Sequence, residues 1–254
     1  MTIHVEHIAV SIPGLRAVRW TTEQLYTSMK DSFVIARLER GSVEWASGNQ
    51  RWTATPGTLQ LKQPGDVHRD VSQSGPLTFQ IITLPTKLVE ERARERLAPQ
   101  LAANDQRAAV FHRLHDAVAA RADSLVLDVA LAEAIDALAA VRDARPHHTR
   151  AVRRAIELVR ARLRDGVTLD ELAEHAGLDK FHLCRAFRAE VGMPPYAYLT
   201  QLRVMHAKAL LAAGVRPCDV ASRVGLYDQS QLNRHFRRIV GTSPGIYAQR
   251  LARL

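Results

Sequence analysis

Two short segments near the end of this 254-residue chain are rich in side chains that can form directed pairs of hydrogen bonds, namely arginine, glutamine and asparagine. Arginine can bond bidentately to guanine, and glutamine or asparagine can do the same to adenine. Arg188, Arg237 and Arg238 lie further along and suit phosphates, which add affinity but little sequence information. The side chains that we expect to project are Lys180, Phe181, Cys184, Arg185 and Arg188 in the first segment, and Gln229, Ser230, Gln231, Asn233, Arg234, Arg237 and Arg238 in the second.

Each segment is predicted to be the second helix of a helix-turn-helix. Asp179 and Asp228 are typical helix N-caps, and a glycine precedes each of them, Gly177 and Gly225. Such a glycine can adopt positive φ and close a preceding short helix, here predicted at 169–175 and 219–223. Apolar residues at helical spacing would face the core, namely Leu183, Ala186 and Phe187, then Leu232, Phe236 and Ile239. For any one of the projecting side chains taken alone, a solvated helix face is the alternative.

The two segments belong to an internal repeat. Ala173 and Gly177 recur 48 residues later as Ala221 and Gly225. Seven further residues recur 49 residues later; they are Leu183, Arg185, Phe187, Arg188, Gly192, Pro195 and Tyr198, matched by Leu232, Arg234, Phe236, Arg237, Gly241, Pro244 and Tyr247. Two copies are too few for a solenoid, so the repeat indicates a duplicated domain.

A helix predicted over 196–213 separates the two copies. At about 1.5 Å per residue it would span roughly 27 Å. Successive major grooves on one side of DNA lie about 34 Å apart. A helix of this length could therefore hold two DNA-reading helices about one turn of DNA apart.

Charge is distributed unevenly along the chain. Residues 146–254 hold 18 Lys and Arg against 9 Asp and Glu, whereas residues 1–145 hold 17 of each. The whole formal net charge of +9 therefore lies in the C-terminal part. A basic module beside a neutral one indicates that one of them meets a polyanion, although charge alone also fits a solvated basic surface.

The first 85 residues have the composition and turn spacing of a β domain. Short β-branched and aromatic stretches alternate with turn residues, among them Gly41, Pro64-Gly65-Asp66 and Gly75-Pro76. Many short strands at regular spacing predict a small barrel or sandwich.

Residues 86–142 are rich in Ala, Leu, Arg and Glu, and three helices are predicted, at about 87–98, 104–121 and 126–142. Asn104 or Asp105 could cap the second helix, and Asp123 or Ser124 the third. An apolar stripe on the third helix comprises Val129, Leu131, Ile135, Leu138 and Val141. It could pack within its own chain or form a dimer seam. Residues 143–149 are predicted to be a linker.

Catalytic and metal-binding patterns are not apparent. The β region contains His4, His7 and His68, without a His-x-His pair, and no phosphate loop or nucleophile elbow is present. His112 and His115 could share a helix face, which more often faces solvent or an interface than a metal. We therefore expect neither an enzyme nor a metal or cofactor.

The cysteine usage and the apolar runs bear on location. Cys184 and Cys218 lack the spacing of a disulfide framework or a metal site, no apolar run approaches a membrane span, and the first residues lack a secretory signal pattern. A cytoplasmic protein that contacts no membrane is expected. Beside basic residues, the Cys184 thiol could sense redox changes, although a small residue tolerated at a DNA surface explains it more simply.

At this point the residues resemble a known family. Residues 150–252 resemble the DNA-binding domain of AraC/XylS-type regulators, most specifically over 225–244 with its Gly225, Asp228-Gln229-Ser230, Phe236, Gly241 and Ser243-Pro244. The resemblance implies seven helices, two helix-turn-helix units and promoter binding, usually as an activator that meets RNA polymerase. Leu226, Gln231-Leu232 and Cys184 depart from the residues common in the family, which bears on the target sequence.

The first half resembles the cupin-like effector domain of the same family, through residues 52–61 and Pro64-Gly65-Asp66-Val67-His68. This resemblance implies a cavity for a small molecule and helices that dimerise. Candidate cavity residues are Arg37, Trp45, Trp52 and His68, although core packing or surface strands explain them equally well.

The resulting expectation is an α+β protein with four segments. A cupin-like β-barrel effector domain would span 1–85, a helical dimerisation segment 86–142, a linker 143–149 and a double helix-turn-helix domain 150–254. The protein would be a homodimeric regulator that binds double-stranded promoter DNA and responds to a small molecule. In the alternative, the barrel binds no effector and serves only dimerisation, or the regulator senses redox changes.

Overall fold

The computed structural model describes residues 3–48, 50–90, 96–142 and 148–251. The chain divides into two compact units, residues 1–147 and residues 148–254. Of the predicted linker at 143–149, residues 143–147 lie outside the described residues, as do residues 91–95 of the first predicted helix.

The first unit is built on one antiparallel sheet, which confirms the predicted β architecture. Its strands are β1 (Ile3–Ile8), β2 (Arg16–Thr22), β3 (Thr27–Met29), β4 (Val34–Ser47), β5 (Gln50–Ala54), β6 (Leu59–Lys62), β7 (Val67–Thr83) and β8 (Gln100–Leu101). In order along the sheet they run β1-β2-β7-β4-β6-β8, with β3 paired to β7 and β5 paired to β4.

Two of the predicted turns are instead irregularities inside long strands. Gly41 lies within the 14-residue β4, and Gly75-Pro76 lies within the 17-residue β7. The register of the β4–β7 pair shifts between Leu38 and Arg40 and again between Arg40 and Ser42. Such bulges bend a strand without ending it, so each strand can serve two parts of a curved sheet.

Side chains alternate between the two faces of the sheet, as strand geometry requires. On one face, Val34, Ala36 and Leu38 belong to a core with Trp45 and Phe79. The opposite face carries a larger core that includes strand residues such as Ile35, Leu61 and Ile82 and helix residues such as Phe111, Leu114 and Leu131. The sheet therefore has a helix-covered face and an inner face.

The helices of the first unit are α1 (Thr86–Glu90), α2 (Ala109–Ala119) and α3 (Ser124–Ala137). The prediction of helix up to residue 98 was wrong at its end, because Leu97 bridges to Arg142 and Gln100–Leu101 form β8. Ala98 precedes Pro99, and the residue before a proline is disfavoured in the helical conformation. Asp123 caps α3 by accepting from the Val126 N–H, as predicted, whereas Asp105 caps a 3-10 turn that precedes α2.

The second unit is helical throughout its regular elements. Its helices are α4 (Arg150–Ala161), α5 (Leu169–Ala176), α6 (Lys180–Val191), α7 (Pro195–Ala212), α8 (Pro217–Arg223), α9 (Gln229–Val240) and α10 (Pro244–Leu251). The predicted linking helix is α7, which has 18 residues. Over the residues that are described, no helix combines the length and apolar character needed to span a membrane.

The sequence repeat is a structural repeat. Phe187 and Tyr198 meet edge to face with ring centres 5.6 Å apart, and the matched pair Phe236 and Tyr247 does so at 5.4 Å. Helices α6 and α9 have 12 residues each and end at glycines of positive φ, Gly192 and Gly241. The same residues thus pack the same way in both copies.

Candidate functional site

The first helix-turn-helix is formed by α5, a glycine turn and α6. A capping box between Thr168 and Glu171 starts α5, and Gly177 ends it with φ of 72°. Asp179 then caps α6 by accepting from the backbone N–H groups of Phe181 and His182. Hydrogen bonding from the His182 N–H is the largest influence that lowers the pKa of Asp179 to about 2, so the cap is charged near neutral pH.

The second helix-turn-helix has the same glycine turn and aspartate cap, and in addition one close contact with another chain segment. Helix α8 is followed by Gly225 with φ of 77°, and Asp228 caps α9 by accepting from the Gln231 N–H. A β-carbon on Gly225 would lie 2.2 Å from the carbonyl oxygen of Arg164, whereas nothing lies within 4 Å of the same position on Gly177. The second turn therefore packs closely against the chain between α4 and α5.

Most side chains predicted to project from α6 and α9 are exposed. Those exposed are Lys180, Phe181, Arg185, Arg188, Gln229, Ser230, Arg234, Arg237 and Arg238, while Cys184, Gln231 and Asn233 are half-buried. Leu183, Phe187, Leu232 and Phe236 are buried on the opposite faces. Of the predicted core stripes, Ala186 and Ile239 are only half-buried.

Four arginines on the two helices are available for an external anion. Arg185 and Arg188 lie on α6, at positions equivalent to Arg234 and Arg237 on α9. Within the described part of the chain, no carboxylate pairs with any of the four. Exposed guanidinium groups at matching positions on two helices suit base edges and phosphates.

Three of the residues predicted to contact DNA also contact side chains or backbone of their own chain. The Lys180 Nζ lies 3.3 Å from the Asp170 Oδ1 on α5, and the Arg238 guanidinium lies 3.2 Å from Nδ1 of His235. The side-chain oxygen of Gln231 accepts from the Tyr227 N–H. These contacts hold the three side chains at defined positions on the helix surface.

His182 is a residue that the sequence reasoning missed. It matches Gln231 at the 49-residue offset, is exposed, and its Nδ1 contacts the Asp179 carboxylate. Gln231 and His182 thus both bond back to the start of their helix. The repeat alone could have indicated His182.

The first unit contains a cavity on the inner face of the sheet, with a volume of about 340 Å³. Its lining comes from β2, β4, β6, β7 and the loops after β2 and β3, and consists of Val18, Trp20, Tyr26, Lys30, Ala36, Gln60, Lys62, His68, Asp70, Phe79 and Ile81. The volume falls in the lower part of the range for small-molecule sites.

Of the four residues named from the sequence for an effector cavity, His68 lines this one and three do not. Arg37 is on the helix-covered face, where it bonds to Asp116 and to Gln80. Trp45 is buried, stacks on Trp52 at 4.8 Å and donates its indole N–H to Gln100. Packing against neighbouring strands, and not a cavity, accounts for those three side chains.

The cavity contains charged groups that the sequence reasoning did not single out. Burial lowers the pKa of Lys62 well below that of an ordinary lysine, and the charge of Lys30 lowers it further. Burial likewise lowers the pKa of His68 and raises that of Asp70. Lys62 could not be recognised because a lysine that ends a short strand more often faces water.

Neither His112 and His115 nor the cysteines form a metal cluster. His115 is fully buried against Gln80, while His112 is half-buried. Cys184 borders an apolar depression beside α4 and α7, and both cysteines are free thiols. Over the described residues, no group of three or more His, Cys, Asp or Glu is arranged to hold a metal ion.

Both units match known families. A model described as an AraC-like ligand binding domain matches residues 13–135, and one described as a helix-turn-helix domain matches residues 172–250. These two matches cover the cavity and the paired helices described above.

Three relatives are between 26% and 32% identical to this chain over different lengths. An uncharacterized HTH-type transcriptional regulator, YbfI of Bacillus subtilis, is 29% identical over 218 residues, covering 80% of this chain and 79% of the relative. The transcriptional activator NphR of a Rhodococcus species is 26% identical over 266 positions, covering 98% and 79%. The HTH-type transcriptional activator AarP of Providencia stuartii is 32% identical over 90 residues, covering 35% and 67%. With a ligand-binding domain followed by a double helix-turn-helix, this chain belongs to the AraC-type family of transcriptional regulators.

Proposed function

We propose that the chain activates transcription by reading two successive major grooves of promoter DNA with α6 and α9. The observation that carries this proposal is the matched pair Arg185 and Arg234, exposed and free of carboxylate partners at equivalent positions of two equivalent helices. Two identical reading positions on one chain fit a bipartite DNA site better than a single contact.

The side chains divide into two roles in this proposal. Arg185 and Arg234, with Gln229, Ser230 and Asn233, read base edges, while Arg188, Arg237 and Arg238 contact phosphates. Phe181, which is 70% exposed, presents an apolar surface suited to a thymine methyl group. Gln231 and His182 position the helix start, since their polar atoms bond within their own turns.

Activation and an encounter with RNA polymerase in the cytoplasm are the second part of the proposal. Two of the relatives, NphR and AarP, are named transcriptional activators. The exposed surface of the second unit other than α6 and α9 is where such a contact would lie.

The first unit is proposed to bind a small-molecule effector and to hold two copies together. The cavity supports the first role. Four residues of the predicted apolar stripe pack in the core of their own unit, namely Leu131, Ile135, Leu138 and Val141. The apolar face that α3 exposes is instead Leu125, Val126 and Val129, with exposed fractions of 71%, 47% and 51%. They lie within two turns of one helix, and a second copy offers an identical apolar face, as two-fold symmetric interfaces require.

The test is binding of the full chain to a duplex from its own upstream region, compared with a random duplex across a salt series. Tighter binding to the upstream duplex that survives moderate salt supports a sequence reader, because non-specific binding declines steeply with salt. Equal binding to both duplexes at every salt concentration contradicts the proposal for that promoter. Sedimentation of the full chain, with Val129→Asp and Val129→Ala as a matched pair, tests the dimer.

A further inference from the structure

The inner cavity has an excess of hydrogen-bond donors. Gln60 is 2% exposed and lines the cavity, and its side-chain Nε2 has no hydrogen-bond partner within the described residues. A buried amide N–H without an acceptor is costly, so this group favours a ligand that supplies one. Its own strand, β6, places it two residues before Lys62, on the same face.

Lys62 points to the charge of that ligand. The residue is 6% exposed, and the carboxylates of Asp70 and Asp66 act on its ammonium through their charge, without a hydrogen bond or ion pair to it among the described residues. The ammonium lies 5.7 Å from the centre of the Trp45 ring, which is a weaker partner than a carboxylate. A desolvated cation of this kind is stabilised by an anion brought beside it.

Two lysines and one carboxylate line the cavity, namely Lys30, Lys62 and Asp70. With Lys62 protonated, the form that a bound anion favours, the lysines outweigh the carboxylate by one charge, and burial lowers the pKa of His68 so that it adds none. Nearby Asp66 is paired with Arg96 at 2.9 Å. One monoanion would therefore balance the cavity, whereas a cation would add to the excess.

The walls define the body of the ligand. Trp20 lies 5.8 Å from the Tyr26 ring and 6.1 Å from the Phe79 ring, measured between ring centres. Aromatic walls favour a flat apolar ligand that can stack or meet them edge-on. A volume of 340 Å³ corresponds to about a dozen water-sized groups at ~30 Å³ each, which suits a single substituted ring.

We infer that the cavity binds a small aromatic monocarboxylate, with the carboxylate accepting from Lys62 and Gln60 and the ring lying against Trp20 and Phe79. This inference rests on the proposed effector role of the first unit and names the chemistry of its ligand. A neutral polyol is disfavoured, because it needs several acceptors beside its donors, and the cavity offers mainly donors and apolar walls.

The test compares four small probes by isothermal titration calorimetry on the full chain. Benzoate carries the ring and the charge, benzamide the ring alone, benzylammonium the opposite charge, and acetate the charge alone. We expect benzoate to bind at least about tenfold more tightly than each of the others. Equal or tighter binding of benzamide or benzylammonium overturns the inference, as does no binding of benzoate up to about 10 mM.

Variants assign the effect to the cavity. Lys62→Met keeps the apolar stem and removes the charge, so the preference for benzoate over benzamide should disappear. Arg51→Met removes a charge from the outer surface, where its side chain is 62% exposed, and should leave the preference unchanged. Unfolding followed by tryptophan fluorescence checks that each variant is folded, and Lys62→Gln serves as the second variant if Lys62→Met is not.

The DNA measurement separates two kinds of failure. If the chain binds its upstream duplex selectively but prefers benzamide to benzoate, the ligand class is wrong while the regulator stands. If selective DNA binding is also absent, the proposed function fails with it. Preference for benzoate that survives Lys62→Met places the anion elsewhere and overturns the assignment of Lys62.

Discussion

Gly225 lies against the backbone of Arg164 so closely that a β-carbon would come within 2.2 Å of the Arg164 carbonyl oxygen. The equivalent Gly177 has nearly the same φ but open space around it. The repeat thus contains two glycines that sequence cannot distinguish. Gly177 is required only for its left-handed backbone conformation, whereas Gly225 is required for that conformation and for the close approach of two chain segments.

Replacing these glycines should therefore have unequal effects. Gly177→Ala should cost about 1–2 kcal/mol, because only the left-handed conformation is penalised. Gly225→Ala should cost more than about 4 kcal/mol, because the clash is with backbone that cannot swing aside. Thermal unfolding by far-UV circular dichroism measures the loss, since most of the described helical residues lie in the second unit.

An internal reference comes from the tryptophans. Trp20, Trp45 and Trp52 are the three tryptophans of the chain, and all lie in the first unit. The fluorescence transition should be the same in both glycine variants and in the wild type. Similar losses for the two variants would show that the contact with Arg164 does not carry the difference.

Arg234→Ala should relax base preference. On the selective duplex the change should cost about 1–3 kcal/mol, and on random DNA much less, because a bidentate arginine contact is lost only where its base is present. Competitive titration of selective and random duplexes measures this. Arg185→Ala should act in the same way on the other half of the site.

Arg238→Ala is the matched comparison, because the side chain is exposed near the C-terminal end of α9. It should weaken binding to all duplexes alike. The slope of log affinity against log salt concentration should become shallower by about one, as loss of a phosphate contact predicts. A loss confined to one sequence would assign base reading to Arg238 instead.

Acid should destabilise the first unit through His115. Its Nδ1 contacts Gln80 at 3.1 Å and its Nε2 is buried without a partner, so a second proton would have no acceptor. Burial accordingly lowers the pKa of His115 well below 6.5. Below about pH 6.5 the unfolded chain takes up a proton that the folded chain does not. The free energy of unfolding should then fall by up to about 1.4 kcal/mol per pH unit from this group.

The measurement is the pH dependence of unfolding followed by tryptophan fluorescence. His115→Asn retains an N–H for Gln80 and removes the titrating group. The slope of its unfolding free energy against pH, on the acid side, should therefore be smaller by the equivalent of about one bound proton. His68, whose pKa is also lowered by burial, should still contribute to the remaining slope. An identical slope for His115→Asn and wild type would contradict the assignment.

Arg37→Met should leave aromatic-acid affinity unchanged, within about twofold. Neighbouring Ala36 lines the cavity, but Arg37 points to the other face and bonds to Gln80 and Asp116. Calorimetric titration with benzoate checks the affinity, with Lys62→Met as the sensitive comparison. A loss of benzoate affinity as large as that caused by Lys62→Met would show that Arg37 contacts the ligand, as the sequence had suggested.

The double helix-turn-helix could be predicted because its signals are local. Aspartate caps, turn glycines and apolar residues three and four apart act within one or two helical turns, and the repeat shows each of them twice. Asp179, Gly177 and Phe187 accordingly have the roles expected of them. The packing of Gly225 could not be predicted, because its neighbour Arg164 lies about sixty residues away and no periodicity relates the two.

The lining of the cavity also depends on contacts between residues that are distant in sequence, and it could not be predicted either. The amino-acid sequence was enough to indicate a β domain, a basic helical domain and the faces of the helices, because hydrophobic period and charge are properties of short segments. Which strand residues face the cavity depends on the register of β2, β6 and β7 and on the bulges in β4. A shift of one residue sends every side chain of a strand to the other face. Only the folded sheet could therefore bring Trp20, Lys62 and Asp70 together and place Arg37 outside.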